Sequence, residues 1–357
     1  MTTSFLLQSC FFLSATPPIS GYEVSIPACG RPGPEPIVVS FEGGIGCGKS
    51  TQLELVLRMK DVLGVANMSS WSEPSGAFSE MDRFWPLAHQ VDTLRSRGLP
   101  IPEDMQNSIN AVTLSVQAAV RGAYVDRRMT AMAWACEAKQ WGRPLVLLER
   151  TTGTQSHVFA PLLLKEGYFT EEGLRKAELQ QPQEPPPEFW LFYRLGLREV
   201  FARIHKRHRQ GENAINEDMV TNLNRLTQRY FKFLVNDHGQ DAVHEVDASG
   251  DIEQVLASTT QSIWKLLHRH EPSEAVLQEI SRRAHDIVSE FHGKLLQNVS
   301  GRMLPPATLL QNVKCTTDAW LLVALFIAAF LGVSLIAFKS LRKVFQSSEA
   351  DSYVLCA

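Results

Sequence analysis

The segment GGIGCGKS, residues 43–50, constrains this chain more than any other feature of its sequence. It follows IVVSFEG, residues 37–43, whose β-branched residues predict a buried strand, and it precedes residues 50–59, whose apolar spacing predicts a helix. Glycines let the backbone wrap closely around a phosphate, and amide N–H groups at a helix N-terminus point at the anion. A strand, a glycine-rich turn and a helix opening on Lys-Ser together predict a phosphate-binding loop.

The loop predicts binding of ATP together with Mg²⁺. Lys49 is expected to reach the β and γ phosphates, and the Ser50 hydroxyl is expected to ligate the metal. The whole loop is expected to surround the nucleotide: Gly43, Gly44, Ile45, Gly46, Cys47, Gly48, Lys49, Ser50 and Thr51. Motors, GTPases and small-molecule kinases share such loops, so the loop alone does not define the reaction.

Further strands alternate with helical segments along the chain. Buried strands are predicted at residues 144–150 and 189–195, with a short one at 243–246, and a long helix at about 104–139. This alternation predicts an α/β fold with a parallel sheet covered by helices on both faces.

The C-terminal region adds two features to that fold. Residues 273–299 carry one apolar helical face, which fits either a helix packed on the kinase body (or a solvated stalk) or a dimerising helix. Residues 319–338 contain no charged side chain, and their length matches a bilayer core of roughly 30 Å, which predicts a single transmembrane helix.

These features predict a chain of five parts. They are a flexible arm at 1–36, a kinase domain at 37–270, a helical stalk and linker at 271–318, a transmembrane helix at 319–338 and a short basic tail at 339–357. The arm contains an apolar patch without a preceding basic residue, which argues against a signal peptide. The six cysteines form no CxxC pair, and their scatter predicts reduced thiols in the cytosol.

Three segments suggest the acceptor side of the reaction. The strand at 144–150 ends in Glu149-Arg150, where the acid can hold the Mg²⁺ shell and the arginine can grip an acceptor or its phosphate. Glu73 precedes Pro74, and its carboxylate could take a hydroxyl proton. Residues 203–212, RIHKRHRQGE, fit either a solvated basic helix or a lid whose guanidinium groups close over the transferred phosphate.

In combination, these segments resemble the deoxynucleoside kinase family. The family pattern is a GxxGxGKST loop, then Glu-Pro, then an acid-Arg-Ser/Thr turn, then an arginine-rich lid ending in Glu. Here these elements are GGIGCGKST, Glu73-Pro74, Glu149-Arg150-Thr151 and the segment 203–212. The lid is most similar to the herpesvirus thymidine kinase form, R-x-x-K-R-x-R-x-G-E. The resemblance covers roughly residues 37–268 and implies that the α/β fold is that of a P-loop kinase with a parallel sheet flanked by helices.

The resemblance implies roles for individual residues. Glu73 is expected to be the general base for a 5′-hydroxyl, and Gln117 to pair with the base through its amide, although a buried or surface helical glutamine is an open alternative. Phe159 is expected to stack on the base, although it could equally be a core residue. The remaining implied residues are Phe78 in the substrate cleft, the phosphate clamps Arg150, Arg203, Arg207 and Arg209, and Glu212 on the sugar 3′-hydroxyl.

The implied activity is ATP-dependent phosphorylation of a deoxynucleoside, with thymidine or another pyrimidine deoxynucleoside favoured. Cellular members carry Asp-Arg where this chain has Gln155-Ser156. This difference leaves open whether the site prefers a purine or a pyrimidine base. The loop also resembles that of thymidylate kinases, so a nucleoside monophosphate acceptor is one alternative. An inactive, membrane-tethered nucleotide-binding scaffold is another.

The remaining expectations concern partners and location. The 35 Lys and Arg residues nearly balance the 38 Asp and Glu residues, so nucleic-acid binding is not expected. Family members are commonly homodimers. The apolar run is followed by Lys339, Arg342 and Lys343, which would place the C-terminus in the cytosol by the positive-inside rule. The kinase lies on the other side of the run and needs cytosolic ATP, so the N-terminal side should be in the cytosol instead. A tail anchor reconciles the two, with the kinase facing the cytosol from the mitochondrial outer membrane or the endoplasmic reticulum.

Overall fold

A computed structural model describes residues 29–74, 81–180, 184–207 and 217–300. The strands are β1 (Ile37–Gly43), β2 (Met68–Trp71), β3 (Leu145–Glu149), β4 (Phe189–Arg194) and β5 (Val243–Asp247). They form a parallel sheet in the order β2-β3-β1-β4-β5. The parallel sheet and the strands β1, β3, β4 and β5 confirm the predicted α/β kinase architecture, whereas β2 was not predicted.

Helices connect successive strands, as parallel pairing requires. The α-helices of the described residues are α1 (Lys49–Val56), α2 (Met81–Ser96), α3 (Glu103–Ala138), α4 (Thr152–Thr154), α5 (Ala160–Lys165), α6 (Glu171–Gln180), α7 (Leu197–Arg207), α8 (Glu217–His238), α9 (Ile252–His268) and α10 (Glu274–Ser300). A π-helical turn, Gln155–Phe159, joins α4 to α5. The long helix predicted at 104–139 is confirmed as α3.

The two faces of the sheet belong to different apolar clusters. Val39 and Phe41 of β1 pack with α1, α9 and α10, whereas Val38 packs with Ala131 and Ala135 of α3. Trp190 of β4 packs with buried side chains of α8. Because side chains alternate along a strand, β1 can contribute to both layers and is buried throughout.

The apolar stripe of α10 packs on the body of the domain. Ile280, Ala284, Ile287 and Val288 are buried and join the main core cluster. Packing on the body therefore accounts for the stripe through these positions. The described residues up to His292 belong to one compact unit, and the chain divides after that residue.

The predicted transmembrane helix at 319–338 lies outside the described residues. Across the segments that the structure does describe, none of the helices combines the length and apolar character needed to cross a bilayer.

The cysteines correct one expectation from the sequence. Cys29 and Cys136 form a disulfide, so the prediction of reduced thiols is wrong for this pair. Nearby, the Lys139 amine lies 2.5 Å from a Glu35 carboxylate oxygen, and Arg143 Nε donates to the Glu35 carbonyl at 3.0 Å. The segment before β1 is thus fixed to the end of α3, which brings together two cysteines that no local spacing pairs. Cys47 is a buried free thiol.

Candidate active site

The turn between β1 and α1 has the backbone geometry of a phosphate loop. Gly43 has φ 128°, and a Cβ built on it would lie 2.4 Å from the Tyr193 carbonyl oxygen. Gly48 has φ 87° and precedes α1 as its N-cap. Both positions need the left-handed conformations that glycine adopts freely. The backbone can therefore curl beneath the N-terminus of α1, where N–H groups and the helix dipole favour an anion.

The lysine and serine of the loop make hydrogen bonds within the loop and to the end of β3. Lys49 is 4% exposed, and its amine donates to the carbonyls of Gly44, at 2.8 Å, and Gly43, at 3.3 Å. Ser50 Oγ donates to Glu149 Oε1 at 2.7 Å. A hydroxyl and a carboxylate side by side are the oxygen ligands that Mg²⁺ takes beside nucleotide phosphates and water, so this pair fits the predicted metal site.

Glu73 lies beside this loop, at the end of the segment that follows β2. Its Oε1 accepts hydrogen bonds from Arg150 Nη1 at 2.5 Å and from the Tyr124 hydroxyl at 2.8 Å. The Glu73 backbone N–H also donates to Glu149 Oε2 at 3.4 Å. The structure thus brings together Glu73, Glu149 and Arg150, which the sequence placed in one site.

Electrostatics keep the Glu73 carboxylate ionised. Burial by itself would raise the pKa of Glu73, but the charges of Arg150 and Lys49 outweigh it. These two charges, together with the hydrogen bonds from Arg150 and Tyr124, lower the pKa of Glu73 to about 2. Burial would lower the pKa of Arg150, but the Glu73 charge raises it above the ordinary value. Across neutral pH the pair is a carboxylate facing a guanidinium.

A buried carboxylate supports the turn on which Arg150 lies. Arg150 adopts φ 60°, a conformation that a residue other than glycine rarely takes. The next residue, Thr151, donates through its hydroxyl to Glu42 Oε1 at 3.0 Å, and Thr154 donates to Glu42 Oε2. Burial raises the pKa of Glu42 above its usual range. These bonds hold the turn in place although the backbone conformation is unfavourable.

The opposite side of the same turn contacts a second acid. Glu184 Oε1 accepts the Thr152 backbone N–H at 2.7 Å, and the Thr152 hydroxyl accepts the Glu184 N–H at 3.2 Å. Burial raises the pKa of Glu184 to about 7.

The two residues expected to contact the base lie in different surroundings. Gln117 is 3% exposed on α3, and its Oε1 is buried with no hydrogen-bond donor among the described residues. An orphaned buried acceptor is costly unless a ligand supplies the donor. Phe159 lies beside Arg150, with its ring centroid 5.1 Å from Arg150 Cζ, and it packs against the apolar cluster of β4 and α8.

Part of the predicted lid can be placed. The Cβ atom of Arg203, on α7, would lie 3.7 Å from a Cβ built on Gly46, so α7 packs against the phosphate loop. The Arg203 guanidinium donates to the Ala248 carbonyl at 2.9 Å, which ties α7 to the loop after β5. Arg207 ends α7, and its side chain is not described. Phe78, Arg209 and Glu212 lie outside the described residues.

Sequence reasoning missed four residues of the site, Tyr124, Arg127, Glu42 and Glu184. Tyr124 and Gln117 are seven residues apart on α3, so they share a helix face, which is a signal the sequence does contain. Glu42 is a charged residue inside a strand predicted to be buried, and such a residue needs partners. Arg127 and Glu184 act on backbone groups of distant segments, and no local pattern identifies them.

A family model and many solved structures match this chain. The family model described as Deoxynucleoside kinase matches residues 39–267. A solved structure of deoxyadenosine kinase from M. mycoides, with products dCMP and a flexible dCDP bound, is 16% identical, with a TM-score of 0.44, covering 62% of this chain and 95% of that one. A second, of the same enzyme with dCTP bound, is 15% identical, with a TM-score of 0.42 and the same coverage.

No curated protein matches this chain. The family model, however, spans more than half of the 357 residues. The chain therefore belongs to the deoxynucleoside kinase family.

Proposed function

We propose that this protein transfers the γ-phosphoryl group of ATP to the 5′-hydroxyl of a deoxynucleoside. The observation that carries the proposal is the Glu73 carboxylate, held ionised by Arg150 and Lys49 at the edge of the phosphate loop. Glu73 can accept the proton of an attacking hydroxyl, and Lys49 can bind the terminal phosphate that the hydroxyl attacks. The two side chains are close enough for the Lys49 charge to act on Glu73.

The proposed reaction assigns a step to each of these residues. The 5′-hydroxyl gives its proton to Glu73 as its oxygen bonds to the γ-phosphorus, and the bond from that phosphorus to the β,γ-bridging oxygen breaks, releasing ADP. A carboxylate with a pKa of about 2 is a weak base. Phosphoryl transfer through a loose transition state needs positioning more than base strength, so a weak base suffices.

Charge on the transferring group needs positive partners. Lys49 and Arg150 supply them from the described residues, and Arg203, Arg207 and Arg209 are proposed to do so from the lid. Ser50 and Glu149 would hold Mg²⁺, which when bound would neutralise charge on the donor phosphates.

The proposed acceptor is a pyrimidine deoxynucleoside, thymidine first. Gln117 supports a base site on α3, because a glutamine amide can accept the N3–H of thymine and donate to its O4. The choice of thymidine rests on the resemblance of the lid.

A direct assay tests both the reaction and the acceptor. Purified full-length chain would be incubated with radiolabelled ATP and, separately, with thymidine, deoxycytidine, deoxyguanosine, deoxyadenosine and dTMP. Labelled thymidine 5′-monophosphate as the main product supports the proposal. A larger yield with a purine overturns the pyrimidine preference, and dTDP as the sole product identifies a thymidylate kinase. Nucleotide binding without any product identifies the inactive scaffold.

We further propose that residues 319–338 anchor the kinase to a membrane with its catalytic domain in the cytosol. The support is the length of the run and its lack of charge. Alkaline extraction of cell membranes tests insertion, and a protected epitope after Ala357 tests orientation. Release of the full chain by alkaline carbonate, or cleavage of the epitope by external protease on intact organelles, contradicts the proposal. Homodimerisation stays a prediction.

A further inference from the structure

One guanidinium group on α3 connects the two segments that carry Glu73 and Arg150. Arg127 Nη1 donates to the Glu149 carbonyl at 2.6 Å, and Arg127 Nη2 donates to the Arg150 carbonyl at 2.6 Å. Nη1 also lies 3.4 Å from the Trp71 carbonyl and 3.3 Å from the Ser72 carbonyl. Arg127 is only 7% exposed, so solvent offers these carbonyls little competition.

Those carbonyls lie at and just beyond the ends of β2 and β3. The pairing of β2 with β3 ends at Trp71, and the pairing of β3 with β1 ends at Glu149. Glu73 therefore lies two residues beyond the paired part of β2, and Arg150 lies one residue beyond the paired part of β3. The Arg150 N–H still donates to the Phe41 carbonyl of β1, at 3.1 Å. Its carbonyl points to Arg127, so both polar groups of this left-handed residue are fixed.

The same face of α3 reaches the Glu73 side chain. Tyr124 precedes Arg127 by about one helical turn, and Arg127 Cζ lies 4.7 Å from the Tyr124 ring centroid. The Tyr124 hydroxyl bonds Glu73, which in turn bonds Arg150. A closed circuit therefore runs from Arg127 through both backbone segments and back through the catalytic side chains.

We propose that Arg127 is a positioning residue that sets the spacing between the Glu73 carboxylate and the Arg150 guanidinium. It acts through backbone carbonyls and does not touch the substrate. A planar guanidinium can donate in several directions at once, whereas a lysine ammonium cannot reproduce that fork. This inference rests on the proposed function for its kinetic consequence, but its structural consequence is measurable without any activity.

The test compares wild type with Arg127→Lys and Arg127→Met. Loosening the circuit lets the Arg150 side chain move away from Glu73, so the separation of Glu73 Oε1 and Arg150 Nη1 grows beyond the 2.5 Å of the wild type. That separation is measured in crystal structures of the wild type and both variants, none of which needs a substrate. In kinetics, kcat falls by on the order of 10²-fold, the cost of a misplaced catalytic group, while the KM for ATP changes little.

The matched control is Arg128→Lys. Arg128 is also buried, and the acids whose charges act on it most are Glu184 and Glu188. Arg128→Lys should lose stability while the separation of Glu73 and Arg150 stays at its wild-type value. Arg127→Lys keeps the positive charge and most of the side-chain length, so it decides the matter even if Arg127→Met folds poorly.

The outcomes separate the two proposals. A lengthened Glu73–Arg150 contact in the Arg127 variants alone supports the inference. An unchanged contact, or an equal lengthening in Arg128→Lys, overturns it. A wild type without activity on any nucleoside overturns the proposed function, and the structures of the variants still decide the role of Arg127.

Discussion

Tyr124 donates its hydroxyl hydrogen bond to Glu73 Oε1 at 2.8 Å, the same oxygen that Arg150 bonds. Burial raises the pKa of Tyr124 well above its ordinary value, so the phenol stays a donor across neutral pH. A shared oxygen fixes the rotation of the carboxylate, and no hydrogen bond from the described residues reaches Oε2. The tyrosine therefore orients the proposed base, and its hydrogen bond also helps to keep that carboxylate ionised.

Replacing Glu73 by Gln should remove the group that accepts the proton while keeping the size and shape of the side chain. An amide can still bond Tyr124 through its oxygen, so folding and ATP binding should be retained. We expect kcat to fall by on the order of 10² to 10⁴, the usual cost of losing a general base. Steady-state kinetics with calorimetric ATP binding measures this, and Glu54→Gln on the exposed side of α1 is the matched control. Turnover equal to wild type would reject Glu73 as the base.

The sequence predicted those parts of the fold that depend on local patterns. The phosphate loop and β1, β3, β4 and β5 follow from hydrophobic runs and glycine spacing. β2, MSSW, has no alternating or continuous apolar pattern and is only half-buried, so its place at the sheet edge depends on pairing with β3.

The site residues that belong to short, recognisable sequence motifs could be predicted. Lys49, Ser50, Glu73, Glu149 and Arg150 belong to short motifs at strand ends, and parallel strands bring those ends together. The supporting network joins residues separated by tens of positions. Arg127 and Glu184 bond backbone groups, which any residue type could provide, so the sequence carries no sign of their partners.

Glu184 should make stability depend on pH. Its pKa is raised to about 7 in the folded protein, whereas the unfolded value is near 4.5. Between these values the folded state binds the proton that the unfolded state has lost, so stability is greatest below the unfolded pKa and falls as pH rises towards 7. The difference corresponds to on the order of 3 kcal/mol.

Glu184→Gln removes this titration and keeps an acceptor for the Thr152 N–H. Urea unfolding between pH 4.5 and 8 should therefore show a flatter stability profile than wild type. The exposed Glu103→Gln should keep the wild-type slope. Parallel profiles for wild type and Glu184→Gln would show that Glu184 stays ionised in the fold.

The Cys29–Cys136 disulfide should stabilise the domain. It closes a loop across a sequence separation of 107 residues, which reduces the number of conformations open to the unfolded chain. Reduction, or the double change Cys29→Ser with Cys136→Ser, should lower the free energy of unfolding by about 2–5 kcal/mol. Urea unfolding with and without reductant measures the difference. The double variant should be insensitive to reductant, and a wild type that is equally insensitive would contradict the pairing.

Two glycines of the phosphate loop should respond differently to alanine. Both have positive φ, so each substitution strains the backbone. At Gly43, the last residue of β1, the new Cβ would also lie 2.4 Å from the carbonyl oxygen of Tyr193 on β4, whereas nothing lies within 4 Å at Gly48. Gly43→Ala must move β1 or β4, so it should lose ATP binding and several kcal/mol of stability. Gly48→Ala should lose only the roughly 1–2 kcal/mol expected from backbone strain. Thermal unfolding with and without ATP measures both effects. Because the two variants share the same added methyl group, equal losses would mean that φ alone, and not the contact with Tyr193, makes glycine necessary in this loop.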